Sequence, residues 1–164
     1  MTFPAIQKKY TSTKEFIDAF PVCYRQWRDD GKCSILHGYA LTIRFHFETD
    51  DLDARNWCVD YGSLRPLKAQ LEEWLDHRLL VSEDDPHKDM LTALHTAGLA
   101  KVTVVAKTGC EGLADWLYEW VNTCYIPDTY GKGESERIWC SKVEVRESAA
   151  NMAFREGHRE WNEF

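Results

Sequence analysis

The sequence contains no CxxC pair, no apolar run long enough to span a membrane, no basic run longer than "KK" and no Pro/Gly-rich linker. Each absence removes a class of function. Without paired Cys spacing a zinc ribbon is excluded. With scattered Lys and Arg and a formal net charge of −7, the electrostatic footprint of a nucleic-acid binder is missing. No stretch reads as a membrane span, and "MTFPAIQKKYTSTKEF" holds no apolar signal core, so a cytoplasmic protein without membrane or nucleic-acid partners is expected. Its six cysteines are even in number but widely spaced; they read as reduced thiols, most of them buried as small hydrophobes.

What is present is the composition of a globular domain, 44% apolar and 29% charged over 164 residues, with no repeat or low-complexity boundary. That length buries a core without staples, so one domain over 1–164 is expected. Residues 14–27 carry Phe16, Phe20 and Val22 at even steps, and residues 39–48 alternate Tyr39, Leu41, Ile43, Phe45 and Phe47 with smaller or polar partners. The period of two predicts a strand pair, with "DDGK" supplying turn chemistry between them. In "SLRPLKAQLEEWLDHRLL", Leu64, Leu67, Leu71, Trp74 and Leu75 repeat at helical spacing, and Ser63 is the expected cap. A short helix at 86–97, a strand at 101–106, a helix at 110–124, a polar loop "IPDTYGKGESE" and a last strand at 137–148 complete an α+β pattern. The acidic stretches "ETDDLDAR" and "SEDDPHKD" lack EF-hand spacing and read as solvated turns.

Four places stand out by residue type rather than by period: Cys33 and His37 in "CSILHGY", Asp76-His77 in "WLDHRLL", Glu111 in "TGCEGLA", and Glu147 in "VEVRES". A thiol beside a histidine serves as nucleophile or proton carrier when its thiolate is favoured. An Asp-His pair holds a general acid/base. A glutamate ending a strand accepts two N–H bonds from a guanidine-like edge. Taken singly, each has a plain structural reading: a packed turn cysteine, a helix-end cation, an edge-strand carboxylate.

Taken in order, the segments "FPVCYRQW" (20–27), "CSILHGY" (33–39), "VDYGSLRPL" (59–67), "LDHRLL" (75–80), "TGCEGLA" (108–114) and "VRES" (145–148) resemble the 6-pyruvoyl-tetrahydropterin synthase / 6-carboxytetrahydropterin synthase family over about residues 14–150. The resemblance implies the tunnelling fold: an antiparallel four-stranded sheet with two long helices on one face, joined sheet to sheet into a homo-oligomeric barrel, a trimer or a hexamer. On this comparison residues 82–106 are an insertion, and a short C-terminal tail starts near 150. The resemblance also implies a catalytic set of Cys33, Asp76 and His77, the cysteine from one subunit and the pair from a neighbour. Substrate contacts would come from Glu147 on the pterin's amino-pyrimidine edge and from Gly109, Cys110 and Glu111. The implied activity is that of a lyase on dihydroneopterin triphosphate or a related pterin, in pterin or 7-deazaguanine (queuosine) synthesis.

The family's zinc rests on three histidines, whose positions here hold Tyr24, His37 and Tyr39. Only His37 keeps the ligand type, and a phenol must lose a proton of pKa near 10 to bind well. The zinc site therefore reads as degraded, unless a slipped register brings Cys23 toward His37 or a neighbouring subunit supplies a ligand. The family threonine and asparagine fall on Gly109 and Gly112, which weakens the helix cap. Two rivals to the enzyme remain open: a metal-free relative binding a pterin or purine-like ligand, and an interaction protein using aromatics such as Trp116 and Trp120.

Overall fold

A computed structural model describes residues 8–158. Its centre is the antiparallel pair β1 (Tyr10–Tyr24) and β2 (His37–Thr49), in register from Tyr10 opposite Thr49 to Tyr24 opposite His37. The alternation works as expected: Phe16, Phe20, Val22 and Tyr24 from β1 meet Leu41, Ile43, Phe45 and Phe47 from β2 in the core. The register shifts between Phe16 and Phe20, where Asp18 takes a positive φ of 46°. Thr42 secures that bulge, its hydroxyl accepting the Asp18 N–H at 2.9 Å and lying 3.2 Å from the Asp18 carboxylate. Two added residues preserve parity, so the apolar positions on either side of the bulge stay on one face.

The sheet has six strands, not four, and it is mixed. Its order is β4-β3-β1-β2-β5-β6, with β5 (Trp139–Arg146) and β6 (Met152–Glu156) antiparallel on one side. On the other side β3 (Arg78–Ser82) runs parallel to β1, and β4 (Lys101–Val105) parallel to β3. β3 begins inside the stretch "DHRLL" that the leucine spacing assigns to a helix. Helix α1 (Arg65–Leu75) ends there instead: Asp76 is extended, and His77, with φ of 54°, turns the chain back into the sheet. Pro66 sits in the first turn of α1, where it forfeits no helical bond, and the capping side chain ahead of it is Asp60, not Ser63. The tail expected from about 150 forms β6.

Helices α1 and α3 (Cys110–Trp120) cover one face, and Leu67, Leu71, Leu75, Leu113 and Leu117 are fully buried against the β1–β2 phenylalanines. Trp74 of α1 packs on Trp116 and Trp120 of α3 at 4.9 and 4.7 Å between ring centroids. Those partly buried tryptophans join the two helices. The stretch 82–106 carries α2 (Lys88–Thr96) and β4, and Leu91 of α2 packs with Leu79 and Val81 in a second small core. The polar segment after α3 is helical rather than loop: a π-helical turn (Val121–Tyr125) leads into α4 (Ile126–Arg137), kinked at Gly131. Among the described residues no helix is long and apolar enough to cross a membrane.

The π-helical turn has a use. The β2–β5 register slips between His46 and Phe47, opposite Cys140. Asn122 repairs the slip: its Oδ1 accepts the Cys140 N–H and its Nδ2 donates to the Cys140 carbonyl, both at 2.9 Å. Replacing Asn122 by Ala strands a buried donor and acceptor, so Asn122→Ala should lose about 2 kcal/mol or more in urea unfolding. An unchanged midpoint would show that water serves Cys140 equally well.

Candidate active site

At the end of the β1–β2 ladder, Tyr24, Gln26, Cys33, His37, Tyr39, Gly109, Cys110, Glu111, Glu147 and Asn151 line a cleft of about 350 Å³. Four pieces of chain build it. Tyr24 and Gln26 leave β1, and Cys33 rides the short 3-10 turn Lys32–Ser34 before His37 and Tyr39 open β2. Gly109 to Glu111 start α3, while Glu147 and Asn151 stand in the β5–β6 hairpin. Cys33 is exposed at the rim, and its carbonyl accepts the Gln26 N–H at 2.7 Å, tying the turn to the strand exit.

The glycines of "TGCEGLA" have steric reasons. Gly109 has a φ of 92°, and a Cβ there would lie 1.9 Å from the Gln26 carboxamide. A Cβ on Gly112 would lie 2.6 Å from the Lys107 carbonyl oxygen. No side chain caps α3, as the loss of the family threonine implies. Thr108 turns inward instead, its hydroxyl donating to the Arg25 carbonyl at 2.8 Å, while Gln26 Nε2 reaches the Thr108 carbonyl at 3.2 Å.

Glu147 is the hub. The Tyr24 hydroxyl donates to its Oε2 at 3.3 Å, the Cys110 thiol lies 3.9 Å from the same oxygen, and Asn151 Nδ2 donates to Oε1 at 3.3 Å. The rings of Tyr24, His37 and Tyr39 form a closed triangle with centroids 5.3–5.7 Å apart. Burial pushes the Tyr24 and Tyr39 phenols above their ordinary range, and the Glu147 carboxylate adds to the effect. Burial, then Glu147 and Glu111, push the Cys110 thiol up to about 12.

These protonation states bear on zinc. The three family positions supply one imidazole and two phenols that hold their protons at neutral pH. His37 Nδ1 lies 2.6 Å from the Ile35 carbonyl, which assigns the proton to that nitrogen and leaves Nε2 as the one ring lone pair. The register is not slipped: Cys23 pairs with Gly38 and packs with Leu79, Val81 and Leu91 in the second core. Among the described residues no group of three His, Cys, Asp or Glu side chains is placed to hold a metal. The donor set of this chain does not fit the family's zinc.

Asp76 and His77 stand outside the cleft. They form a pair at 2.8 Å between Oδ1 and Nδ1, with side chains 46% and 78% exposed. The chain thus unites Cys33, His37, Tyr24, Tyr39, Gly109, Cys110, Glu111 and Glu147 and does not bring the Asp-His pair to them. The other histidines and the acidic stretches lie elsewhere. His46 Nε2 bonds Glu144 at 2.8 Å on the opposite sheet face. Asp53 accepts N–H bonds from Arg55 and Trp57, and Asp85 pairs with Arg25. Sequence reasoning missed Gln26 and Asn151 as lining residues. Gln26 lay within a quoted segment, whereas Asn151 sits in a stretch without period or motif.

The raised acids carry a sign for stability. In the unfolded chain a thiol ionises near 9, while folded Cys110 holds its proton to about 12. Its contribution is therefore complete below pH 9 and is lost as pH rises toward 12. Urea midpoints should fall across that window, and Cys110→Ser should fall less steeply; parallel curves would remove Cys110 from the balance. Tyr24 and Cys140 titrate in the same sense, so the slope should shrink without vanishing.

The match to known proteins agrees with this geometry. A family model described as 6-pyruvoyl tetrahydropterin synthase matches residues 13–158. An uncharacterized protein from Wolinella succinogenes superposes with a TM-score of 0.76 at 22% identity, covering 92% of this chain and 99% of that one. The 6-pyruvoyl tetrahydropterin synthase of Plasmodium falciparum gives 0.62 at 12% identity, with 93% and 99% covered. The Caenorhabditis elegans enzyme gives 0.56 at 15%, with 94% and 100% covered. No curated protein matches the chain. With its α+β tunnelling-type fold and a match over nearly the whole described length, the chain belongs to the 6-pyruvoyl tetrahydropterin synthase family.

Proposed function

We propose that the cleft binds the ring of a reduced pterin, or a related purine-like base, edge-on against Glu147, and that the protein is a lyase acting on dihydroneopterin triphosphate or a close relative. The observation that carries this reading is convergence: Cys33, Glu111 and Glu147, far apart in sequence, line one cleft of about 350 Å³ with the Gly109–Cys110 main chain. Such a volume suits one bicyclic ring with its side chain directed outward. Glu147 then accepts the two N–H groups of the amino-pyrimidine edge, as carboxylates do from guanidinium groups. Cys33, at the rim, meets the side chain rather than the ring. There its thiolate takes the proton next to a developing carbonyl.

The Asp76-His77 pair completes this site from a neighbouring subunit. Two features support a homo-oligomer, trimer or hexamer. The pair is exposed and already hydrogen-bonded, which orients the imidazole for work outside its own cleft. Both sheet edges also end in partly apolar strands, with Val104 on β4 and Phe154 on β6 about half exposed. No step of this reading passes through zinc. Six unpaired cysteines fit a reducing cytoplasm, and the products would feed pterin or 7-deazaguanine synthesis.

Turnover of dihydroneopterin triphosphate should fall about 100-fold or more in Cys33→Ala and in His77→Ala. Chains of the two variants unfolded and refolded together should regain about a quarter of wild-type activity, because random assembly pairs intact partners at that frequency. Turnover indifferent to Cys33 would sink the mechanism, and absence of recovery in the mixture would sink the shared site. Glu147→Ala should weaken neopterin binding about tenfold or more in calorimetry.

A further inference from the structure

We infer that Tyr24 is a positioning residue: its hydroxyl, with the Asn151 carboxamide, fixes the Glu147 carboxylate for the ligand, so the cleft binds its pterin-type ligand without a metal ion. The inference rests on the role given above to Glu147.

A carboxylate offers about four lone-pair sites, two on each oxygen. Tyr24 occupies one on Oε2 and Asn151 one on Oε1, at 3.3 Å each, and the thiol at 3.9 Å is a weaker neighbour. The Tyr39 hydroxyl also hydrogen-bonds this carboxylate, so the donors of the cleft fix its orientation and the amino-pyrimidine edge takes the lone pairs they leave. Glu147 is fixed along its backbone as well, its N–H donating to the Asn151 carbonyl at 3.2 Å. Tyr24 is 1% exposed and pinned at the last β1–β2 pair, so its hydroxyl has little freedom to turn elsewhere. Its neighbours confirm the orientation of the ring: His37 and Tyr39 close on it at 5.5 and 5.7 Å.

The same contact opposes a metal. A family histidine at this position offers a lone pair toward a cation, whereas the Tyr24 hydroxyl directs its proton at a carboxylate. Exchange of the ligand for a donor reverses the polarity at that point of the site. Tyr39 repeats the exchange two residues past His37, which leaves a single imidazole where zinc needs three or four ligands. Recognition of the ring edge by Glu147 asks nothing of the metal and survives the exchange.

The test uses the full-length protein, neopterin and zinc chloride. Chelator-treated wild type should bind neopterin with the same Kd, within about twofold, whether or not an equivalent of zinc is added. Tyr24→Phe should still unfold cooperatively, with a modest loss of stability, and weaken neopterin about tenfold, with Tyr24→Phe/Glu147→Gln no weaker than Glu147→Gln alone. Tyr24→His/Tyr39→His should take up about one zinc per chain by metal analysis, and wild type none. Stoichiometric zinc on wild type, or Tyr24→Phe binding as tightly as wild type, would overturn the inference. Should wild type fail to bind neopterin at all, the reading of the cleft fails instead. The inference is then still decided by zinc uptake and by the urea midpoints of the Tyr24→Phe and Glu147→Gln cycle, where additive losses would show that the two side chains are not coupled.

Discussion

The site depends on the parity of the β1–β2 ladder. Tyr24 faces the core side of the sheet, opposite His37, only because an even number of extra residues is inserted at the bulge between Phe16 and Phe20. One residue fewer there would turn Phe16 to solvent or carry Tyr24 to the face where Cys23 now packs with Leu79 and Leu91. The local clasp between Asp18 and Thr42 therefore controls an arrangement several residues away. Parity also sets what the ladder delivers: Tyr24, His37 and Tyr39 emerge at one corner, and the cleft is built against that corner.

A second close fit brings the remaining pieces to it. The left-handed Gly109 lets the start of α3 approach Gln26 more nearly than any other residue could, and Thr108 and Gln26 hold each other across the gap. From β5, Glu147 enters on the far side, its carboxylate bound inward to Tyr24 and sideways to Asn151. Each contact is modest, of the order of 1 kcal/mol. Their value lies in direction, since together they fix how one carboxylate of the cleft is turned.

The ladder was legible because its residues alternate over a long span, and α1 and α3 because their leucines repeat at helical spacing. Of the residues singled out by order and type, Cys33, His37, Tyr24, Tyr39, Gly109, Cys110, Glu111 and Glu147 line one cleft, while Asp76 and His77 lie outside it. Three elements were not legible, each for a physical reason. Strand β3 hides because Leu75 and Leu79 keep a four-residue spacing across the break, which the extended Asp76 and the positive φ of His77 make. Helix α4 hides because its sequence holds two glycines and little apolar surface; it continues α3 through the π-helical turn, and Ile126 is its buried anchor. Strand β6 has a weak pattern of its own and is carried by pairing with β5. That omission also concealed Asn151, since the hairpin that presents it exists only once β6 is paired.

The exchange of histidine for tyrosine separates two tasks that one family site combines. On the reading proposed above, edge recognition is the work of a carboxylate and its donors, and Glu147 is held here by Tyr24 and Asn151. Polarising the side-chain oxygens of a substrate is a Lewis acid's work, and the residues at the three positions are poorly suited to retain one. A phenol kept protonated by burial and by Glu147 is a donor, and a donor adjacent to a carboxylate strengthens that carboxylate's fixed orientation. On the proposed reading, the same substitution that weakens the metal cage therefore firms the ligand anchor. Loss at one task and gain at the other come from a single hydroxyl, which is why Tyr24 rather than His37 sets the character of this cleft.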